Sequence, residues 1–224
     1  MRLPLVGRLS DSKVKVASPY LRPSAFNQTA FWQEVHDTDR ALGALFSYLK
    51  QHYAPEDYLV CLYSDHGVPI FSDTHYIVDA HMTSAAWMMC GAGVPEGVIA
   101  EELTSAVDIY PTLGALLDFP TDETLDGVLP QVFGGTGRDI TYSNSLFPRK
   151  YYYLAARARD YTLYLETLDP VSLSGTANLA RSVSTIYPRN YEGIAGYEVD
   201  SPALRAFFYP RVREFLKGIS NNGE

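Results

Sequence analysis

The chain is predicted to fold as an α/β protein, with a mixed, mostly parallel sheet flanked by helices and a small C-terminal antiparallel α+β subdomain. Three observations predict it. Two continuous apolar runs, each ended by glycine and polar residues, read as strands covered on both faces. Segments with apolar residues at three- and four-residue steps flank them, the rhythm of helices laid on a sheet. Beyond Pro120 the pattern gives way to glycine-rich connections and shorter strands around a turn.

In chain order, Phe31, Val35, Leu42, Leu45, Phe46 and Leu49 form the stripe of an amphipathic helix over 30–51 that should lie against a sheet. Pro55-Glu56-Asp57 ends it, and Tyr58 to Tyr63 follows as the first buried strand, closed by Ser64-Asp65-His66-Gly67. Ala85 to Cys90 is the second, ended by the turn-rich Gly91-Ala92-Gly93-Val94-Pro95. A helix is expected over 108–117, with Asp108 as its cap and Pro111 near its start. Tyr151 to Ala158 and Tyr161 to Leu165 read as a hairpin around Arg159-Asp160, and 203–217 as a last helix that Pro210 should kink or interrupt. The expected division is 1–147 for the α/β part and 148–224 for the small subdomain.

Composition narrows the function. With 224 residues, 46% of them hydrophobic, the chain can bury one sizeable core. A formal charge of −8 offers no general attraction to nucleic acid or anionic lipid. No run of about 18 apolar residues exists, so no membrane partner is expected. Cys61 and Cys90 lack the spacing of a zinc pair and read as free core thiols. Asn27-Gln28-Thr29 matches a glycosylation acceptor, a pattern too short to assign a compartment.

Chemistry is expected at the C-terminal end of the first strand, where loops of an α/β sheet converge. There Asp65 and His66 set a carboxylate beside an imidazole, a pair able to hold a divalent cation; an isolated Asp-His-Gly is equally an ordinary polar strand end.

Leu59 to Gly67 resembles the strand and metal-binding turn of the sulfatases and their phosphoesterase relatives in the alkaline phosphatase superfamily. Ala85 to Val94 resembles the same family's strand ending in Gly-x-Gly. Val107-Asp108-Ile109-Tyr110-Pro111-Thr112-Leu113 resembles its Val-Asp-Leu-x-Pro-Thr-Leu segment, and Leu125-Asp126-Gly127-Val128-Leu129 its Asp-Gly-x-x-Leu turn. His36 to Gly43 fits the helix before the metal strand, and order and spacing agree over roughly 30–147 on the scale of an ordinary domain.

The resemblance implies an incomplete sulfatase-like fold, its C-terminal portion, in which Asp65 and His66 bind the active-site metal. By resemblance that metal is calcium, with zinc or manganese as alternatives if His66 is joined by His75 or His81. It implies hydrolysis of a small anionic ester, a sulfate ester first. A phosphodiesterase or phosphoethanolamine-transferase-like activity is the alternative within the superfamily. The family's nucleophile lies in a Cys/Ser-x-Pro-x-Arg motif that this sequence lacks, Ser18-Pro19-Tyr20-Leu21-Arg22 having its proline one place early. No catalytic nucleophile is therefore assigned. A complementing N-terminal half or a homodimer is the expected partner, and a noncatalytic remnant or oligomerising module the reading from a different class.

The usual lysine after the metal turn is also missing, since no Lys or Arg occurs from Gln51 to Gly137. His75 and His81 are the remaining basic side chains of that loop and are the candidate substrate-binding residues. Asp73 and Asp79 add negative charge that would repel an anionic ester unless a metal neutralises it.

Overall fold

The computed structural model describes residues 28–67, 78–122 and 125–220 and divides into two compact units, Met1–Leu59 and Val60–Glu224. The first holds helix α1 (Gln28–His52) and a one-turn 3₁₀ helix, Pro55–Asp57. Within α1, Arg40 pairs with Asp37 one turn away and His52 stacks on Tyr48 at 4.1 Å.

Strands β1 (Leu59–Tyr63), in the second unit from Val60 on, and β2 (Trp87–Gly91) form a two-stranded sheet. The Ser64 N–H donates to the Ala86 carbonyl at 3.0 Å, and the Ala86 N–H donates to the Ser64 hydroxyl at 2.8 Å. The end of β1 thus lies beside the start of β2, and the two strands run antiparallel. The expected mostly parallel sheet is corrected: an apolar run reports that a strand's faces are covered, and direction is set by the connection, which here returns the chain to the strand end it left. The covering is also lighter than expected, since Tyr63 is 63% and Met88 57% exposed.

Between these strands lies the single turn α2 (Ala80–Thr83), capped by Asp79, whose carboxylate accepts the Met82 N–H at 2.9 Å. After β2 comes α3 (Ile109–Leu117), preceded by the 3₁₀ turn Ala106–Asp108. Asp108 caps that turn rather than α3: its carboxylate takes the Ser105 N–H in a capping box and the Val128 N–H from the following loop. Arg138 closes on the same carboxylate through Nε and Nη2. Gly127 packs beneath this lock, where a Cβ would meet the Val107 carbonyl oxygen at 2.2 Å.

The main core lies further on. Strands β3 (Thr141–Ser145), β4 (Tyr151–Arg157), β5 (Tyr161–Pro170) and β6 (Ser182–Pro188) make an antiparallel sheet in that order. It begins at Thr141, on the N-terminal side of the expected junction. Because side chains alternate across a strand, Tyr152, Leu154 and Ala156 of β4 join Leu163, Leu165 and Ile186 on one face. Helix α4 (Pro202–Ser220) covers that face with Phe208 and Val212 and runs through Pro210 without interruption. The free Ala206 acceptor that a proline leaves costs less here because α4's stability comes from this packed face.

The other face carries Ala155, Tyr164 and Tyr187, which enclose Val78 from the segment ahead of α2. Arg157 lies on that face. Its Nε donates to Glu192 Oε2 at 3.2 Å, Nη1 to the Ser143 hydroxyl at 3.3 Å, and Nη2 to the Val78 carbonyl at 2.6 Å. Glu192 is held in turn by the Tyr164 hydroxyl at 2.7 Å and by the Thr162 hydroxyl. Both charged side chains are at most 10% exposed, so each needs the other.

Arg157→Ala is therefore expected to cost about 3–5 kcal/mol, because Glu192 would remain as an uncompensated buried charge. A drop in the urea midpoint measures it; a loss below about 1 kcal/mol, the range of exposed pairs, would contradict the buried network. A second expectation concerns alkali. Burial, reinforced by the Glu192 carboxylate, pushes the Tyr164 phenol far above its usual range, and burial does the same to Tyr152. A phenol that holds its proton more tightly when folded contributes stability that is complete below the unfolded value of about 10 and is lost as pH rises above it. Tyrosinate absorbance should rise in two stages, the second coinciding with unfolding; a single stage with native circular dichroism retained would contradict this.

Candidate active site

Asp65 and His66 follow β1 after Ser64, whose hydrogen bonds to Ala86, just ahead of β2, fix where they start. The His66 N–H donates to Asp65 Oδ1 at 2.9 Å, turning the carboxylate back over its own backbone. His66 Nδ1 lies 2.7 Å from the Gly67 carbonyl oxygen. That oxygen only accepts, so in the neutral ring Nδ1 carries the proton and Nε2 keeps a lone pair. Nε2 stands 3.5 Å from Asp65 Oδ2.

Gly67 is required by a close approach of backbone. A Cβ at Gly67 would sit 1.8 Å from the His81 carbonyl oxygen, because the Gly67 N–H donates to the Met82 carbonyl at 2.8 Å. The turn is thus docked on α2 through a contact that only glycine allows.

The geometry of the pair suits a cation. A tetrahedral ion with bonds of about 2.0–2.1 Å separates two ligand atoms by about 3.4 Å, close to the gap found here. The longer calcium–oxygen bond reaches the same span at a narrower angle. An imidazole whose second nitrogen donates to a backbone carbonyl is the usual arrangement of a metal-binding histidine. The donor count is short, however: among the described residues no group of three or more His, Cys, Asp or Glu converges on one point. The pair is half a site, and Asp65, with a side chain 85% exposed, is open to solvent.

Both residues line a cavity of about 430 Å³ whose other walls come from β2, the segment before α3, and the C-terminal sheet. Ser143 and Asn144 of β3, Arg157 of β4 and Arg189 after β6 enter it. The cations that the sequence lacks just after the Asp65-His66 turn are therefore brought from far along the chain. A charged residue inside the apolar strand Tyr151–Ala158 was the available signal for Arg157, since a buried charge implies a specific partner; Arg189 follows a strand with no local motif. His81 sits in α2 with its side chain exposed and does not line the cavity. His75 and Asp73 lie outside the described residues, as do Ser18–Arg22 and Asn27. Asp79 is spent on capping α2, and Asp108 on Arg138 and two backbone N–H groups. A second cavity, of about 490 Å³ and lined by Met88, Val98, Ile99 and Phe133 among others, has no titratable side chain on its walls.

Gly67→Ala is expected to force the Asp65-His66 turn off α2 and to destabilise the protein by about 1–3 kcal/mol, as overpacking does. Thermal unfolding measures the loss; unchanged stability would mean that the turn is not docked there.

None of the curated proteins compared matches the chain. Among solved structures it is similar to a candidate sulfatase from Bacteroides thetaiotaomicron VPI-5482, with 14% identity and a TM-score of 0.51. The likeness covers 75% of this chain but only 37% of that one, and at this identity it speaks for the fold. The sulfatase family model matches residues 25–119, the stretch that carries α1, β1, the Asp65-His66 turn, β2 and α3. Over that stretch, less than half of the chain, the sequence is similar to the sulfatase family.

Proposed function

We propose that the chain contributes the metal-binding turn and one wall of the substrate cavity to a metal-dependent hydrolase of small anionic esters, a sulfate ester first. The observation that carries this reading is the His66–Asp65 pair, with the imidazole lone pair on Nε2 turned toward the carboxylate across 3.5 Å. Asp65 and His66 would hold a divalent cation, calcium by family and zinc or manganese by the presence of an imidazole. When bound, such an ion polarises ester oxygens and stabilises the charge that develops on them.

The chain's own residues do the rest of the work this reading assigns to it. Gly67's carbonyl holds the His66 proton at Nδ1, which keeps Nε2 free to donate its lone pair. The Ser143 hydroxyl, on the same sheet face as Arg157, gives the cavity a neutral donor for ester oxygens. The attacking group is not assigned to any residue of this chain, and the chain spans 37% of the relative's length. A complementing segment or subunit would have to bring it.

A second reading, a noncatalytic module that pairs with another chain, is favoured by one observation: neither β1 nor β2 has a buried residue, and among the described residues each has only one partner strand. Native mass spectrometry separates the two readings when read together with metal binding.

Titration with manganese, followed by the electron paramagnetic resonance signal of the free ion, is expected to reveal one weak site. Asp65→Ala and His66→Ala should each abolish it, and calcium or zinc should compete. Equal binding by the wild type and both variants would overturn the assignment. A stable dimer without any saturable metal site would favour the module.

A further inference from the structure

Oxyanion recognition poses an electrostatic problem for this cavity. The protein carries a net charge of −8, and Asp65 places a carboxylate on the cavity wall. An approaching sulfate or phosphate group is repelled by both unless a fixed cation faces it. Three other charged side chains line the walls: Glu102, Arg157 and Arg189. The Glu102 carboxylate is occupied by the N–H groups of Gln131 at 2.7 Å and Val132 at 2.9 Å. Arg157 is neutralised by Glu192, and its guanidinium donates to Ser143, Val78 and Tyr164 as well.

Arg189 differs on each count. It is exposed, and among the described residues it forms no ion pair. Its one side-chain hydrogen bond is a long one, from Nη1 to the Arg159 carbonyl at 3.4 Å. Its backbone, by contrast, is fixed. Pro188 still pairs with Tyr161 at the end of the β5–β6 ladder, and the Arg189 N–H donates to the Asp160 carbonyl at 2.9 Å. The result is an uncommitted guanidinium on an anchored stem beside the cavity, a form suited to bidentate recognition of a planar or tetrahedral oxyanion.

We infer that Arg189 is the oxyanion-binding residue of this cavity, taking a sulfate, phosphate or carboxylate group of the ligand while the Ser143 hydroxyl of β3 offers a neutral contact beside it. The C-terminal sheet thereby supplies the cation that the segment after the metal turn lacks. The inference deepens the proposed ester-hydrolase reading, yet it needs no metal and no turnover to be tested.

The test is calorimetric titration of the full chain, in chelator, with inorganic sulfate, inorganic phosphate and glucuronate as separate probes. At least one of these anions is expected to bind in the millimolar range. Arg189→Ala should weaken that binding by about tenfold, the value of one charge-assisted hydrogen-bonding group, while Arg189→Lys should recover part of it. Asp65→Ala should bind the anion as well as the wild type or better, since it removes a repelling charge. Arg189 is exposed, so its variants should keep the native unfolding temperature and the manganese affinity. Anion binding unaffected by Arg189→Ala, or no saturable binding of any of the three probes, overturns the inference. Loss of the manganese site's dependence on Asp65 and His66, with the Arg189 effect intact, would instead overturn the hydrolase reading and leave the anion site standing.

Discussion

The hydrogen bond from Arg157 to the Val78 carbonyl is the contact on which the rest of the site depends. It starts a relay of short polar contacts that crosses from the C-terminal sheet to the Asp65-His66 turn. Val78 is followed by Asp79, whose carboxylate starts α2; the α2 carbonyl of Met82 takes the Gly67 N–H; and the Gly67 carbonyl orients the His66 ring. Burying a guanidinium to make the first link costs desolvation that a lone carbonyl could not offset. Glu192, itself gripped by Thr162 and Tyr164, supplies the compensating charge. The pair is better understood as a device for placing the Val78 segment than as a source of net stability.

Much of the architecture was legible because it is written in apolar periodicity. The stripe of α1, the run of β1 and the alternation in β4 and β5 all surface in the sequence at their proper steps. β3 and β6 were not legible. Thr141-Tyr142-Ser143-Asn144-Ser145 and Ser182-Val183-Ser184-Thr185 are polar edge segments whose strand character comes from pairing with β4 and β5 rather than from their own pattern. Strand direction was misread for a related reason: burial and direction are independent, and only the Ser64–Ala86 contact reveals that β1 and β2 oppose each other. At the candidate site, Asp65 and His66 stand out in the sequence because they are adjacent. Arg157 and Arg189 were hidden by the length of chain that separates them from that turn.

The motifs that carry the family resemblance divide into chemistry and carpentry. Val107-Asp108 and Asp126-Gly127-Val128 belong to one lock: the Asp108 carboxylate takes the Val128 N–H and Arg138, while Gly127 leaves room for Val107 and Pro111. Their joint presence argues for a shared fold, because each residue is needed by the other's backbone. It says nothing about the reaction, which must be argued from the Asp65-His66 turn and the cavity around it.

The buried apolar side chains of the described part of the second unit, Val78 apart, all come from Ile140 onward. The C-terminal sheet and α4 therefore form a core of their own, whereas β1 and β2 contribute no buried side chain to any core. A region with few buried contacts opens at lower free energy than the core it borders. The turn that bears Asp65 and His66 is in that position, held by the polar relay from Arg157 and by Gly67's docking on α2. A ligand that bridges the turn and Arg189 would tie the weakly held strand pair to the well-packed sheet, so binding energy and local ordering are coupled there. On the proposed reading that coupling would give a physical reason for a ligand site across the two sheets instead of within either one: occupancy would supply the cohesion that the thin β1–β2 layer does not generate from its own side chains.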